Sequence, residues 1–123
     1  MAEHEKIVVA DDNSLVRELL VDSLRFRDFE VIAEADSVAE FASLVDDPEI
    51  KFTFAIIDGN MPNEGDGERA AAYLHSRRPE VGVMSLSAGF VTFGDLNLRK
   101  RTPIEDLTAA IRNFPGVKSK PDY

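Results

Sequence analysis

The 123-residue sequence contains no cysteine, so neither a disulfide nor a thiolate metal site can form. The 14 basic residues are outnumbered by 23 acidic ones, and the formal net charge of -9 argues against direct binding to nucleic acid. No apolar run is long enough to span a membrane, and Met1–Ala10 lacks the apolar core of a signal peptide. We therefore expect a cytoplasmic protein without membrane contact. His4 and His75 lack any zinc-site spacing.

Apolar residues make up 44% of the chain and recur in alternating strand-like and helix-like segments. The length suits a single domain over residues 1–123, with a core at about 6–114 and a polar tail at 115–123. The alternation predicts an α/β fold with a doubly wound, parallel, five-stranded sheet, a flavodoxin-like (βα)₅ arrangement. The predicted strands are Lys6–Ala10, Phe29–Ala33, Phe52–Ile57, Val81–Leu86 and Asp95–Lys100. The predicted helices are Ser14–Phe26, Ser37–Val45, Glu68–Arg78 and a last helix opened by a capping box at Thr102–Glu105.

The link between the fourth and fifth strands is unusually short. After about five residues for the fifth strand, only Ala88–Gly94 remains. A parallel crossover normally needs about a dozen residues or more. The sequence therefore predicts a single turn or an irregular loop there, so that the fourth helix of a (βα)₅ fold is missing or reduced to a turn.

Polar side chains stand where three of the predicted strands end. Asp11 and Asp12 follow the first strand, Asp58 follows the wholly apolar third strand, and Ser87 follows the fourth. Because parallel strands end at one edge of a sheet, these groups should converge. Converging carboxylates need a cation, and their hard oxygen ligands suit Mg²⁺. An aspartate beside Mg²⁺ can attack phosphorus, with Ser87 and Lys100 available to contact the phosphoryl oxygens.

Each of these residues also has a simpler interpretation. Asp11 and Asp12 could simply cap the first helix, and Asp58 and Ser87 could be ordinary turn residues. Lys100 lies in an Arg-Lys-Arg run, which is usually solvated surface. We expect Tyr73 and the leucines on the helix faces to lie in the core. Three acidic residues that follow Asp58 should face solvent: Glu64, Asp66 and Glu68.

The segments KIVVADDNSLVRELL, IIDGNMP with the following DG, and RTPIEDLTAAI together resemble receiver domains of two-component response regulators. The resemblance covers about residues 6–114. It implies that Asp58 is the phospho-acceptor and that Asp11 and Asp12 hold Mg²⁺, with Asp12 the more direct ligand. The backbone carbonyl of Asn60 would also bind the ion. Ser87 would be the switch hydroxyl and Lys100 the lysine that pairs with the phosphate.

The resemblance also implies partners. A sensor histidine kinase or a phosphotransfer protein would donate the phosphoryl group, and a downstream protein effector would read it. A homodimer is compatible with the family. The domain would catalyse only its own phosphotransfer and slow autodephosphorylation.

The sequence differs from the usual receiver pattern in four features. The segment after Ser87 is short, and the loop from Met61 to Gly67 is one residue longer. Arg101 stands where many members have proline. Asn97 occupies the position of the switch aromatic, a role for which Phe90 and Phe93 are the candidates.

Two other functions remain open from the sequence. One is a pseudo-receiver, a phosphorylation-independent interaction module of the same fold. Such a module is expected to lose the acidic pair or Asp58, and neither is lost here, but the short segment after Ser87 keeps this alternative open. The other is a small phosphohydrolase with an aspartate nucleophile. Such enzymes commonly carry a second aspartate two residues later, where this chain has Asn60.

Overall fold

The computed structural model describes residues 5–88 and 93–114. Five parallel strands form one sheet in the order β2-β1-β3-β4-β5. This is the flavodoxin-like strand order, and it confirms the predicted doubly wound fold. The strands are β1 Lys6–Ala10, β2 Glu30–Ala35, β3 Phe54–Asp58, β4 Gly82–Ser87 and β5 Leu96–Arg99. The helices in the described residues are α1 Ser14–Phe26, α2 Val38–Asp46, α3 Asp66–Arg77 and α4 Ile104–Asn113.

Helices cover both faces of the sheet. Successive residues of a strand point to opposite faces, so Val8 and Val9 of β1 enter two different cores. α2 and α3 pack over the first core, and α1 and α4 pack over the second. β3 is buried along its whole length, as expected for a central parallel strand. The buried helix residues include Phe41, Val45, Ala70 and Leu74 in the first core and Val21, Leu24, Leu107 and Ile111 in the second.

The helix starts show which capping predictions hold. Within the acidic cluster after β1, Asn13 caps α1, because its side chain accepts from the Val16 N–H at 3.0 Å. Ser37 caps α2 by accepting from the Glu40 N–H at 3.1 Å. The capping box predicted at Thr102 is wrong. Pro103 occupies the N-cap position of α4 and makes no side-chain cap hydrogen bond.

Several other predictions need correction. β2 begins and ends later than predicted, and β3 begins at Phe54 and includes Asp58. α3 starts two residues early because Gly65, at φ 89°, ends the preceding loop directly before Asp66. Tyr73 is only partly buried and donates its hydroxyl hydrogen to Asp46.

Four apolar side chains of α1 are exposed rather than buried. Leu15 is 65% exposed, Leu19 61%, Val16 38% and Phe26 86%. The core beneath α1 is filled by Val21 and Leu24 instead. The leucines of α1 therefore lie on two faces of the helix: Leu24 faces the core, and Leu15 and Leu19 face solvent.

Eight residues separate β4 from β5, from Ala88 to Asp95. The prediction of a turn or loop at Ala88–Gly94 falls largely on residues 89–92, which lie outside the described residues. Phe90, the tail at 115–123 and His4 lie outside them as well. None of the four helices in residues 5–88 and 93–114 combines the length and hydropathy that a membrane span needs.

Candidate functional site

Asp11, Asp12 and Asp58 meet at the carboxyl edge of the sheet. β1 and β3 are neighbours and run parallel, so the residues that end them lie side by side. Asp58 ends β3, and the Asp11–Asp12 pair directly follows β1. One ligand oxygen from each of the three carboxylates lies within 4.8 Å of the others. Asp11 and Asp58 are buried, whereas Asp12 is exposed. Two carboxylates thus form the floor of the site, and the third lies at its mouth.

Lys100 supplies a cation to this cluster. Its Nζ lies 3.2 Å from Asp58 Oδ2 and 3.5 Å from Asp11 Oδ2. The lysine follows β5, and its backbone N–H donates to the Ser87 carbonyl at 3.0 Å. That hydrogen bond continues the pairing of Ser87 with Arg99 and sets which residue of the Arg-Lys-Arg run reaches the carboxylates.

The two floor carboxylates are held by backbone N–H groups. Asp11 Oδ1 accepts from the Asn13 N–H at 2.9 Å, and Asp58 Oδ1 accepts from the Asn60 N–H at 3.3 Å. Arg17 donates to the Asp11 carbonyl oxygen at 2.7 Å and pairs with Glu34, which fixes the turn after β1. The orientation of both carboxylates is therefore set before any ligand binds.

The electrostatics of the site favour an added cation. Burial and the nearby Asp11 raise the pKa of Asp58 from its ordinary 3.8 to about 6, although Lys100 and the Asn60 N–H act in the opposite direction. Burial alone would lower the pKa of Lys100, but Asp11 and Asp58 outweigh it and raise that pKa. One lysine therefore does not neutralise the three carboxylates.

Ser87 and Asn60 lie at the same edge. Ser87 ends β4, one residue beyond Leu86, which pairs with Asp58 across β3 and β4. It is 7% exposed. Asn60 is exposed in the loop after β3 and forms an isolated bridge with Glu64.

The start of α3 packs directly against the Asp58 backbone, a feature that sequence reasoning missed. The Gly67 N–H donates to the Gly59 carbonyl at 3.0 Å. A Cβ added at Gly67 would lie 2.2 Å from the Asp58 carbonyl oxygen. The only sign of this close approach in the sequence is that position 67 is a glycine, and it stands among several other turn-forming residues.

Asp66 was wrongly expected to face solvent. It is 5% exposed, because its carboxylate accepts from the Asn63 N–H at 2.9 Å and pairs with Arg69. Glu64 and Glu68 are exposed, as predicted. Asp66 thus closes the loop between β3 and α3 rather than adding charge to the site.

Asn97 makes specific contacts at the position where an aromatic residue was expected. Its Oδ1 accepts from the Ser85 hydroxyl at 2.7 Å and from the Phe93 N–H at 3.1 Å. Phe93 is 8% exposed and packs in the core beneath α2 and α3. Asn97 therefore joins β5 to the end of the short segment that precedes it.

The comparisons with known proteins agree with this architecture. The response regulator receiver domain family matches residues 7–93. The chemotaxis protein CheY of Listeria monocytogenes is 32% identical over 83 residues, which cover 68% of this chain and 67% of that protein. The chain therefore belongs to the response regulator receiver domain family, whose members are signalling domains of two-component systems.

Solved structures show the same fold. The signal receiver domain of the putative response regulator NarL from Mycobacterium tuberculosis superposes with a TM-score of 0.79 and 26% identity. The match covers 90% of this chain and 95% of that one. A response regulator protein from Burkholderia pseudomallei, with a phosphorylated aspartic acid, a calcium ion and citrate, gives a TM-score of 0.77 at 22% identity. That match covers 91% of this chain and 68% of the other.

Proposed function

We propose that the protein is a Mg²⁺-dependent phosphorylation switch in which Asp58 accepts the phosphoryl group. The observation that carries the proposal is the position of Asp58. It ends a buried central strand, 3.2 Å from a lysine and beside two further carboxylates. The phosphorylated aspartic acid and calcium ion of the Burkholderia relative support it. A pseudo-receiver would have no need for this group of residues.

Asp11, Asp12 and Asp58 are the residues that would hold Mg²⁺, together with the Asn60 backbone carbonyl. Three clustered carboxylates with only one lysine fit a divalent cation with oxygen ligands. When bound, Mg²⁺ supplies positive charge to the transferring phosphoryl oxygens.

The protein's own groups would act on the donor as follows. An Asp58 carboxylate oxygen forms the new bond to phosphorus, and the bond from phosphorus to the leaving group breaks with its electron pair. Lys100 pairs with a phosphoryl oxygen as a point charge, and the Ser87 hydroxyl donates to another. The same site, once water enters, allows slow autodephosphorylation of the acyl phosphate.

A protein is the expected physiological donor, either a sensor histidine kinase or a phosphotransfer protein. The exposed apolar side chains of α1 support this proposal, because three of them, Leu15, Val16 and Leu19, stand on the first two turns after the acidic pair. Val16 and Leu19 also line a groove of about 250 Å³ that reaches Ile104 of α4 and includes Lys100. A donor seated there would lie beside the carboxylates. The phosphorylated form would then act on a downstream protein effector.

The proposal is tested by incubating the protein with acetyl phosphate and Mg²⁺ and recording the intact mass. We expect a single added phosphoryl group that does not form when the metal is chelated beforehand. Hydroxylamine should remove the group once it has formed, since hydroxylamine cleaves acyl phosphates. If no adduct forms with any donor, the pseudo-receiver is the better explanation. Continuous turnover of a phosphate ester, without a stable adduct, would instead indicate a phosphohydrolase.

Replacing Asp12 with alanine should weaken Mg²⁺ binding by about tenfold or more, because loss of even an outer partner of a metal ligand commonly costs that much. Within the described residues, Asp12 has no hydrogen bond or ion pair, so its removal leaves the fold intact. A Mg²⁺ titration by isothermal calorimetry measures the change. Asp36→Ala is the matched control, since Asp36 is an exposed aspartate directly after β2 at the same edge of the sheet. Equal affinities of Asp12→Ala and wild type would remove Asp12 from the site.

A further inference from the structure

Two arginines beside the site differ from all other arginines of the chain. The sequence contains nine arginines, all within the described residues. Seven of them contact a carboxylate or a carbonyl oxygen. Among these arginines, only Arg99 and Arg101 have guanidinium groups without a hydrogen bond or ion pair to residues 5–88 and 93–114. Both adjoin Lys100.

Arg99 and Arg101 also share a cavity with the groups proposed to contact the phosphoryl oxygens. The cavity has a volume of about 290 Å³ and is lined by Ser87, Ala88, Arg99, Lys100 and Arg101. Both arginines are exposed at the end of β5, an edge strand of the sheet. Two arginines whose guanidinium groups have no partner in the described part of the chain thus line a space that adjoins the proposed phosphorylation site.

The net charge of the site and of the chain indicates a role for these arginines in attracting an anion. Three carboxylates, Lys100 and one divalent cation together carry no net charge, and the whole chain carries -9. A dianionic phosphodonor would therefore gain no net attraction from the site and would be repelled by the rest of the protein. Two additional cations at the entrance offset that repulsion. Guanidinium groups also match the paired oxygens of phosphate and carboxylate groups.

We infer that Arg99 and Arg101 form an anion subsite that binds the phosphoryl group of a small acyl phosphate donor before transfer. The inference rests on the proposed phosphorylation of Asp58. In the transfer, an Asp58 carboxylate oxygen bonds to phosphorus while the bond between phosphorus and the acyl oxygen breaks. The acyl group leaves as a carboxylate with the electron pair, so no proton is transferred. The arginines bind the donor and take no part in bond formation.

The test is the rate of phosphorylation of the full chain as a function of acetyl phosphate concentration, at saturating Mg²⁺ and followed by intact mass. The variant Arg99→Gln/Arg101→Gln should raise KM by about tenfold, because each exposed charge pair contributes up to about fivefold. Its limiting rate should stay within about twofold of wild type. The matched control is Lys51→Gln, which removes a positive charge at an exposed position. Lys51 lies just before β3, at the amino-terminal ends of the strands and thus opposite the site.

Two further measurements separate electrostatic binding from a structural effect. Arg99→Lys/Arg101→Lys keeps both charges and should restore KM to within about threefold of wild type. Added salt should raise KM more steeply in wild type than in the glutamine variant, because salt screens exposed charges.

Three outcomes would overturn the inference. The first is a KM that the glutamine variant does not raise more than Lys51→Gln does. The second is a fall in limiting rate without a change in KM, since this would place the arginines in transfer. The third is an unchanged KM for acetyl phosphate combined with slower transfer from a phosphohistidine protein, which would assign the arginines to a protein partner. If wild type forms no adduct at all, the proposed function fails first and the inference fails with it.

Discussion

Without divalent cations, Asp58→Asn should raise the free energy of unfolding at pH 7.5 by about 2 kcal/mol relative to wild type. Burial and the nearby Asp11 raise the pKa of Asp58 to about 6 in the folded protein, against an ordinary value of 3.8. That difference corresponds to about 3 kcal/mol of cost for keeping the ionised carboxylate folded. Because water screens charges at the open edge of the site, we expect about two thirds of this cost.

The pH dependence follows from the direction of this shift. Below about pH 3, Asp58 is protonated in both the folded and unfolded states, so it imposes no cost. Between about pH 4 and pH 6 the unfolded chain loses its proton first, and the stability of wild type falls as the pH rises through the folded pKa. The stabilisation by Asp58→Asn should therefore be below about 0.5 kcal/mol at pH 4 and complete above about pH 7.

Urea unfolding at pH 4 and pH 7.5 in the presence of a chelator measures both values. Asp22→Asn is the control, because Asp22 is an exposed aspartate on α1 and its replacement should change stability by less than about 0.5 kcal/mol. A stabilisation that persists unchanged at pH 4 would contradict the electrostatic explanation. The Asp58→Asn protein should also take no phosphoryl group, so that the same substitution makes the protein more stable and inactive.

Gly67→Ala should destabilise the protein by about 3 kcal/mol and slow phosphorylation of Asp58. The new Cβ would lie 2.2 Å from the Asp58 carbonyl oxygen and 2.8 Å from Gly59 Cα. Both atoms belong to the backbone, which cannot rotate away as a side chain can. The clash therefore has to move α3 or the end of β3, and such overpacking costs about 1–3 kcal/mol or more.

Gly65→Ala is the control for this substitution. Gly65 has a positive φ of 89°, and its added Cβ would meet only the Arg69 side chain at 3.5 Å. Alanine at that position pays a conformational cost of about 1 kcal/mol and should leave Asp58 in place. Equal losses of stability in the two variants, measured by urea unfolding, would show that the close approach at Gly67 does not matter.

How well a structural feature is predicted from the sequence depends on how far apart in the chain the interacting residues lie. β1 and α1 have the boundaries predicted from sequence, and Asp58 ends a strand that is buried throughout. These features depend on local periodicity and capping, which neighbouring residues determine. The Thr102 capping box was also a local pattern, but Pro103 took the N-cap position instead. A motif of this kind therefore indicates where a helix begins without determining which residue caps it.

Burial was harder to predict because it depends on three-dimensional contacts that spacing along the chain does not show. Asp66 looked like a loop carboxylate in solvent, yet the fold of its own loop brings the Asn63 N–H and Arg69 to it. Leu15 and Leu19 follow helical spacing, yet no element of the described chain covers them. A spacing pattern identifies a helix face but does not say whether a partner lies against it.

The sequence by itself determined that a buried strand delivers Asp58 to the edge of a parallel sheet, and that an acidic pair follows the first strand. The tertiary structure decided which cation contacts these carboxylates, since the register of β5 against β4 brings Lys100 to them. Within the described residues, the same register leaves the guanidinium groups of Arg99 and Arg101 without a partner. It also decided that Gly67 supports Asp58 from α3. Strand register and helix contact arise between segments that are distant in the chain, and residue spacing along the chain does not encode them.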